Sequence, residues 1–146
     1  MDGGRESASI YGDLVDRVVA GAAADRRIKA VWLEAADRAD LRPPYRRLEV
    51  HLAADDPDFA AVLEDLEGLV AGPSRLEVTA RAEVPRFARQ IEGRIGGAPV
   101  TVILEKSPLL AKRPRAAVAC LLDRTGHLYH VMDFSLQKPS PPAGGR

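Results

Sequence analysis

The chain is expected to fold as a single α+β domain, with one mixed β-sheet and helices packed mainly on one face of it. Three observations predict this. Apolar residues recur at helical spacing over 11–24 and again over 57–71. Short runs that alternate, or are continuously apolar, fill much of the rest at strand length. Two of these runs, 28–35 and 47–52, follow one another with only a polar, proline-containing connection between them. The strict strand–helix alternation of a doubly wound parallel sheet is therefore missing.

The elements follow in order. Residues 1–8 read as a loose tail. Leu14, Val15, Val18, Val19 and Ala22 form the stripe of a first helix, with Asp13 and Asp16 toward its start and Arg26 and Arg27 just past its end, as the helix dipole favours. The run IKAVWLEA, 28–35, reads as a central strand with both faces mostly covered and Trp32 in the core. A loop containing Pro43-Pro44 follows. In the next strand Leu48, Val50 and Leu52 face the core, while Arg47, Glu49 and His51 face water. Asp56 caps a second helix with Pro57 at its first position, and Phe59, Val62, Leu63, Leu66, Leu69 and Val70 make its apolar stripe. Gly72-Pro73 ends it.

In the second half, 74–84 alternates, with Leu76, Val78, Ala80, Ala82 and Val84 inward and Thr79 and the charged residues outward. Such a strand could pair at an exposed edge. Phe87, Ile91 and Ile95 are four apart, which predicts a short helix within 85–95. Gly96-Gly97 is a turn, and PVTVILE, 99–105, is a strand rich in β-branched residues. A basic loop covers 107–115. Strands over 117–122 and 127–134 are joined by Asp123-Arg124-Thr125-Gly126, a hairpin turn. One domain thus spans 9–136, and the Pro/Gly-rich 137–146 reads as a disordered tail.

Composition narrows the classes of function. With 146 residues the chain can bury a substantial core as one domain. Lysine plus arginine number 21 and aspartate plus glutamate number 21, which argues against a nucleic-acid coat. The one cysteine, Cys120, cannot form an internal disulfide. The polar N-terminal stretch lacks the apolar centre of a signal peptide, and the apolar runs are too short to span a bilayer. A cytoplasmic protein is expected, with no membrane partner.

The order of elements over roughly 10–134 resembles the minimal nucleotidyltransferase fold. In that family a strand ending in Gly-Ser is followed by a loop and then by a strand carrying Asp-x-Asp or Asp-x-Glu. A third carboxylate stands on a later strand. The sequence LEVHLAADDPDF with its following helix, and the late segment CLLDRTG, look like family elements. The resemblance implies two magnesium ions and a nucleoside triphosphate on the carboxylate face. Laid on this chain, Glu34-Ala35 stand where Gly-Ser is expected, Arg47 on the first carboxylate position, Glu49 on the second and Thr101 near the third.

These departures bear on chemistry. Arg47 stays charged and cannot ligate a metal, and it repels a neighbouring cation. Glu34 adds negative charge where a triphosphate would lie. Arg47 and Glu49 are expected to pair across the wet face, with the guanidinium in the place of the ion. The expected function is therefore a catalytically degenerate nucleotidyltransferase-like domain that acts by binding a protein or a nucleotide, with no cofactor. The alternative is an active enzyme moving NMP from an NTP to a small molecule or protein. It needs magnesium and two carboxylates on one face, and Glu49 with Glu34 or Glu105 is the set available. A further alternative, implied by the family, is an antitoxin-like partner of a helical toxin. An unrelated α+β interaction domain would share only the element order.

Other polar groups have plainer readings. His127 and His130 fall on opposite faces of a strand and read as surface residues, and Cys120 reads as an inert core thiol. Asp55, Asp56 and Asp58 suit a helix start better than a calcium loop. Lys106, Lys112, Arg113 and Arg115 read as a solvated basic loop.

Overall fold

In the computed structural model, which describes residues 3–35, 49–72, 75–84, 87–109 and 118–126, two helices pack on one face of a six-stranded mixed sheet. The elements are α1 (Gly3–Ala24), β1 (Ile28–Glu34), β2 (Glu49–Ala54), α2 (Asp56–Ala71), β3 (Leu76–Val84), β4 (Ala88–Ile95), β5 (Ala98–Lys106) and β6 (Val118–Asp123). The strand order is β3-β4-β5-β2-β1-β6. Only the β2–β5 pair is parallel; the others are antiparallel. Among the described residues no helix is long and apolar enough to cross a membrane.

The main core lies between the helices and the sheet. Tyr11, Leu14, Val18 and Ala22 of α1 and Phe59, Val62, Leu66 and Val70 of α2 meet Val31, Leu33, Val50, Leu52, Val102 and Leu104 from the three central strands. The stripes expected of both helices supply it. The helix α1 begins at Gly3 and so takes in most of the stretch read as a tail, which leaves Asp13 and Asp16 in mid-helix.

Neither helix carries a basic residue in its last turn. Both C-termini borrow guanidinium groups from elsewhere. Arg124, just past β6, donates to the carbonyl oxygens of Ala22, Ala23, Asp25 and Ile28 at 2.7–3.1 Å. Arg17 of α1 donates to Val70 O of α2 at 2.8 and 3.0 Å. These bonds add donors to carbonyls at or just past the helix ends, of which Ala22 O and Asp25 O also accept from the backbone N–H groups of Asp25 and Ile28. Arg27, expected to serve the dipole of α1, instead pairs with Asp25 and Asp65.

The structure corrects two readings on the β3–β4 side. Residues 88–95 form a strand rather than a helix. Residues four apart share a face in a strand as well as in a helix, and Ile91, Gly93 and Ile95 face the core. β4 and β5 form a hairpin closed by Gly96-Gly97, whose φ angles of 58° and 86° lie in the region two-residue hairpin turns require. The second correction is a bulge at Thr79. Before it Leu76 and Val78 lie opposite Ile95 and Gly93, whereas after it Arg81 lies opposite Ile91. Parity therefore flips, Ala80 and Ala82 turn to solvent, and Arg81 reaches Glu67 of α2 at 2.6 Å. The same bulge blunts the edge that an unbroken β3 would offer for pairing. The second strand of the expected C-terminal hairpin, 127–134, lies outside the described residues, as does the tail beyond it.

Candidate functional site

The polar site is on the sheet face away from the helices. Its position follows from strand alternation and register. In β1, Trp32 and Glu34 point to that face, and in β2 Glu49 and His51 do. Pairing sets Trp32 opposite His51 and Glu34 opposite Glu49. The parallel β2–β5 pairing then sets Glu49 opposite Thr101 and Ala53 opposite Glu105. Three neighbouring strands thus deliver Glu34, Glu49, His51 and Glu105 to one patch. A small apolar cluster of Ala30, Trp32 and Ala53, with Val118 and Cys120 against it, forms the floor beside them.

His51 is the centre of this patch. Its side chain is 5% exposed. Nδ1 lies 2.6 Å from Glu105 Oε2, and Nε2 lies 2.7 Å from Glu49 Oε1 and 3.4 Å from Glu34 Oε2. The Trp32 ring stacks on the imidazole with centroids 5.2 Å apart, and its indole N–H donates to Glu34 Oε2 at 2.8 Å. Burial works against a charged ring. The hydrogen bonds to Glu105 and Glu49 and the negative charges of Glu34 and Glu105 outweigh it, and they raise the His51 pKa from 6.5 to about 9. At neutral pH the ring donates from both nitrogens.

The four groups differ in access. Glu105 is buried, Glu34 is 22% exposed and Glu49 is 42% exposed at the side chain. The patch is therefore closed at the Glu105 end and open at the Glu34–Glu49 end. One ligand atom each from Glu34, Glu49 and His51 lies within 4.8 Å of the others, close enough to share a metal ion. Nucleophilic chemistry through Cys120 is not set up here. Burial and the charge of Asp123 raise its thiol pKa, and Trp32, its partner in the β1–β6 register, stands between it and His51.

Among the residues singled out from sequence, Glu34 and Glu49 come together. Glu105, nominated for the alternative set, joins them through His51. Ala35 follows β1 and brings no polar side chain, and Thr101 sits across from Glu49 on β5. Arg47 lies outside the described residues. So do His127, His130, Lys112, Arg113 and Arg115. Glu49, expected to pair with Arg47, is hydrogen-bonded to His51. His51, expected to face water, is buried. Trp32 is buried as expected, but its link to Glu34 was not anticipated. The available signal was the spacing: Trp32 with Glu34, and Glu49 with His51, are each two apart in adjoining strands.

No protein-family model matches the chain, and no curated protein matches it. The site rests on its own geometry.

Proposed function

We propose that the chain is a nucleotidyltransferase-like domain that has lost transfer chemistry and acts by binding, with a nucleotide as the first ligand to test and a protein partner as the next. The observation that carries this reading is the placement of His51. A transferase of this class needs carboxylate oxygens free to hold magnesium, which prefers an octahedron of oxygens and retains its waters. Here the carboxylates of one face converge on an imidazole. Glu49 and Glu105 hydrogen-bond to it directly, and Glu34 faces it across 3.4 Å. A ring nitrogen sits among the groups that would have to turn to the ion.

A second reading, an active magnesium-dependent transferase, draws support from one feature. Glu34 and Glu49 are directly opposite on adjoining strands, so two carboxylates do share a face. Calorimetric titration with ATP and with GTP, each with and without magnesium, separates the two. Binding without a magnesium requirement, or no binding, agrees with the proposed loss of chemistry, and the latter turns the search to protein partners. Magnesium-dependent binding accompanied by pyrophosphate release would establish the second reading.

A further inference from the structure

From the geometry of the same patch, and independently of any nucleotide, we infer a binding site for one divalent transition ion of the zinc type, held by His51 Nε2, Glu34 and Glu49, with Glu105 as the residue that positions the imidazole.

The donor set selects the class of ion. One imidazole nitrogen and two carboxylates suit zinc and its first-row neighbours, whereas magnesium and calcium favour oxygen alone. Three protein ligands leave a fourth position open, as in zinc sites that also bind water or a ligand. The open side is where Glu34 and Glu49 are partly exposed, so the ion has a route in.

The cluster is more than a group of acids. Its nitrogen donor is fixed from behind. Glu105, itself buried, accepts from Nδ1 at 2.6 Å, so Nε2 is aimed at the two outer carboxylates. A carboxylate on the far nitrogen is the usual partner of a metal-bound histidine, where it sets the tautomer and raises the ring's basicity. The distances from the imidazole need little adjustment, and the two carboxylates stand within 4.8 Å of each other. Two ligands bound at about 2.0–2.1 Å with a tetrahedral angle between them stand about 3.3 Å apart. Nε2 and Glu34 Oε2 are already at 3.4 Å. Glu49 Oε1, at 2.7 Å, must draw back by roughly half an ångström to meet that spacing, and it is the most exposed of the three. On binding, the ion takes the place of the proton on Nε2, which leaves to solvent. Nδ1–H continues to donate to Glu105.

Trp32 makes the event visible. It is the chain's one tryptophan, it stacks on His51, and its indole N–H bonds to Glu34. The metal-stripped full chain is titrated with ZnCl2 and separately with MgCl2, followed by calorimetry and by tryptophan fluorescence. One equivalent of zinc is expected to bind and to change the fluorescence with the same midpoint, while magnesium does neither. Glu34→Gln and Glu49→Gln, at partly exposed positions, each weaken zinc by about tenfold or more. Glu105→Gln weakens it by about 10–100-fold, the cost of losing a partner behind the ligand. Failure of the native chain to bind zinc one-to-one overturns the inference. So does unchanged zinc affinity in the Glu34→Gln/Glu49→Gln double variant, which puts the ion elsewhere on the chain. Magnesium binding as tight as zinc would overturn it as well, since it would mark an oxygen-only site. None of these results depends on nucleotide binding, so this inference and the proposed function fail separately.

Discussion

The two faces of the central strands are built from alternate residues of the same strands, yet they do opposite work. On the helix side Val31, Leu33, Val50, Leu52, Val102 and Leu104 form a continuous apolar layer closed by α1 and α2. On the other side the intervening residues include Trp32, Glu34, Glu49, His51 and Glu105, with Ala30, Trp32 and Ala53 as a small apolar cluster and Ile103 beside His51. The first face derives its stability from area removed from water. The second spends part of that stability on keeping charged groups close together and partly dry. The contrast teaches that one strand can serve a core and a site at once, because its period of two keeps them apart.

The largest expected effect lies on the helix side. Leu66 is fully buried between α2 and the sheet. Leu66→Ala should cost about 4 kcal/mol through lost transfer energy and the cavity left behind. Denaturant unfolding measures it, and the fluorescence response of Trp32 to zinc in the folded protein should survive. A cost below about 1 kcal/mol would mean that the two faces are less distinct than their packing indicates.

The next effect tests what the polar face contributes. His51→Leu takes from the buried Glu105 the charged imidazole it hydrogen-bonds to and should cost about 3 kcal/mol. The double variant His51→Leu/Glu105→Leu should regain most of that loss, because paired buried charges are often replaceable by apolar groups. Recovery in the double variant identifies a cluster kept for chemistry at little net gain in stability. If the double variant is as unstable as the single, the ion pair is itself a stabilising part of the fold.

A smaller effect follows from pH. The folded pKa of His51 is raised from 6.5 to about 9. A group whose folded pKa lies above its unfolded value contributes stability that is fully present below pH 6.5 and is lost as pH rises through about 9. In metal-free protein the unfolding free energy should therefore fall over that window, and His51→Gln should flatten the decline. Parallel declines in both proteins would show that the ring carries no charge in the folded state.

How much of this was legible in the sequence varies from place to place, for identifiable reasons. The strands β1, β2 and β5 and the helix α2 stand out because alternation, apolar runs and the Asp-Pro start are local signals, although Asp55 rather than Asp56 stands at the cap of α2. β4 was misread because four-residue spacing is both a helical repeat and an even number. The Gly96-Gly97 pair beside it was the better guide to a hairpin. The bulge at Thr79 leaves no trace in composition, since one extra residue changes which side chains face inward without changing their kind. Glu49 could be nominated from parity and Glu34 through the family resemblance, but the convergence on His51 could not be foreseen. A single strand's alternation shows which residues share a face. It does not show which strands lie next to it or whether that face is dry.

Arg124 sets a clock on assembly. Helix α1 is complete early in the chain, but the carbonyls at its end wait for a guanidinium as many as 102 residues further on. That closure needs β6 to have taken its place beside β1, a long-range event that comes late for entropic reasons. Until then those carbonyls lack this donor, and the junction into β1 is held by bonds such as Ile28 N–H to Asp25 O and by Arg27, which reaches Asp65 of α2. The strand β6 thus acts as a latch. A chain that has folded α1, α2 and β1–β5 still lacks this closure, and protection of the α1 end against amide exchange should report when β6 has docked.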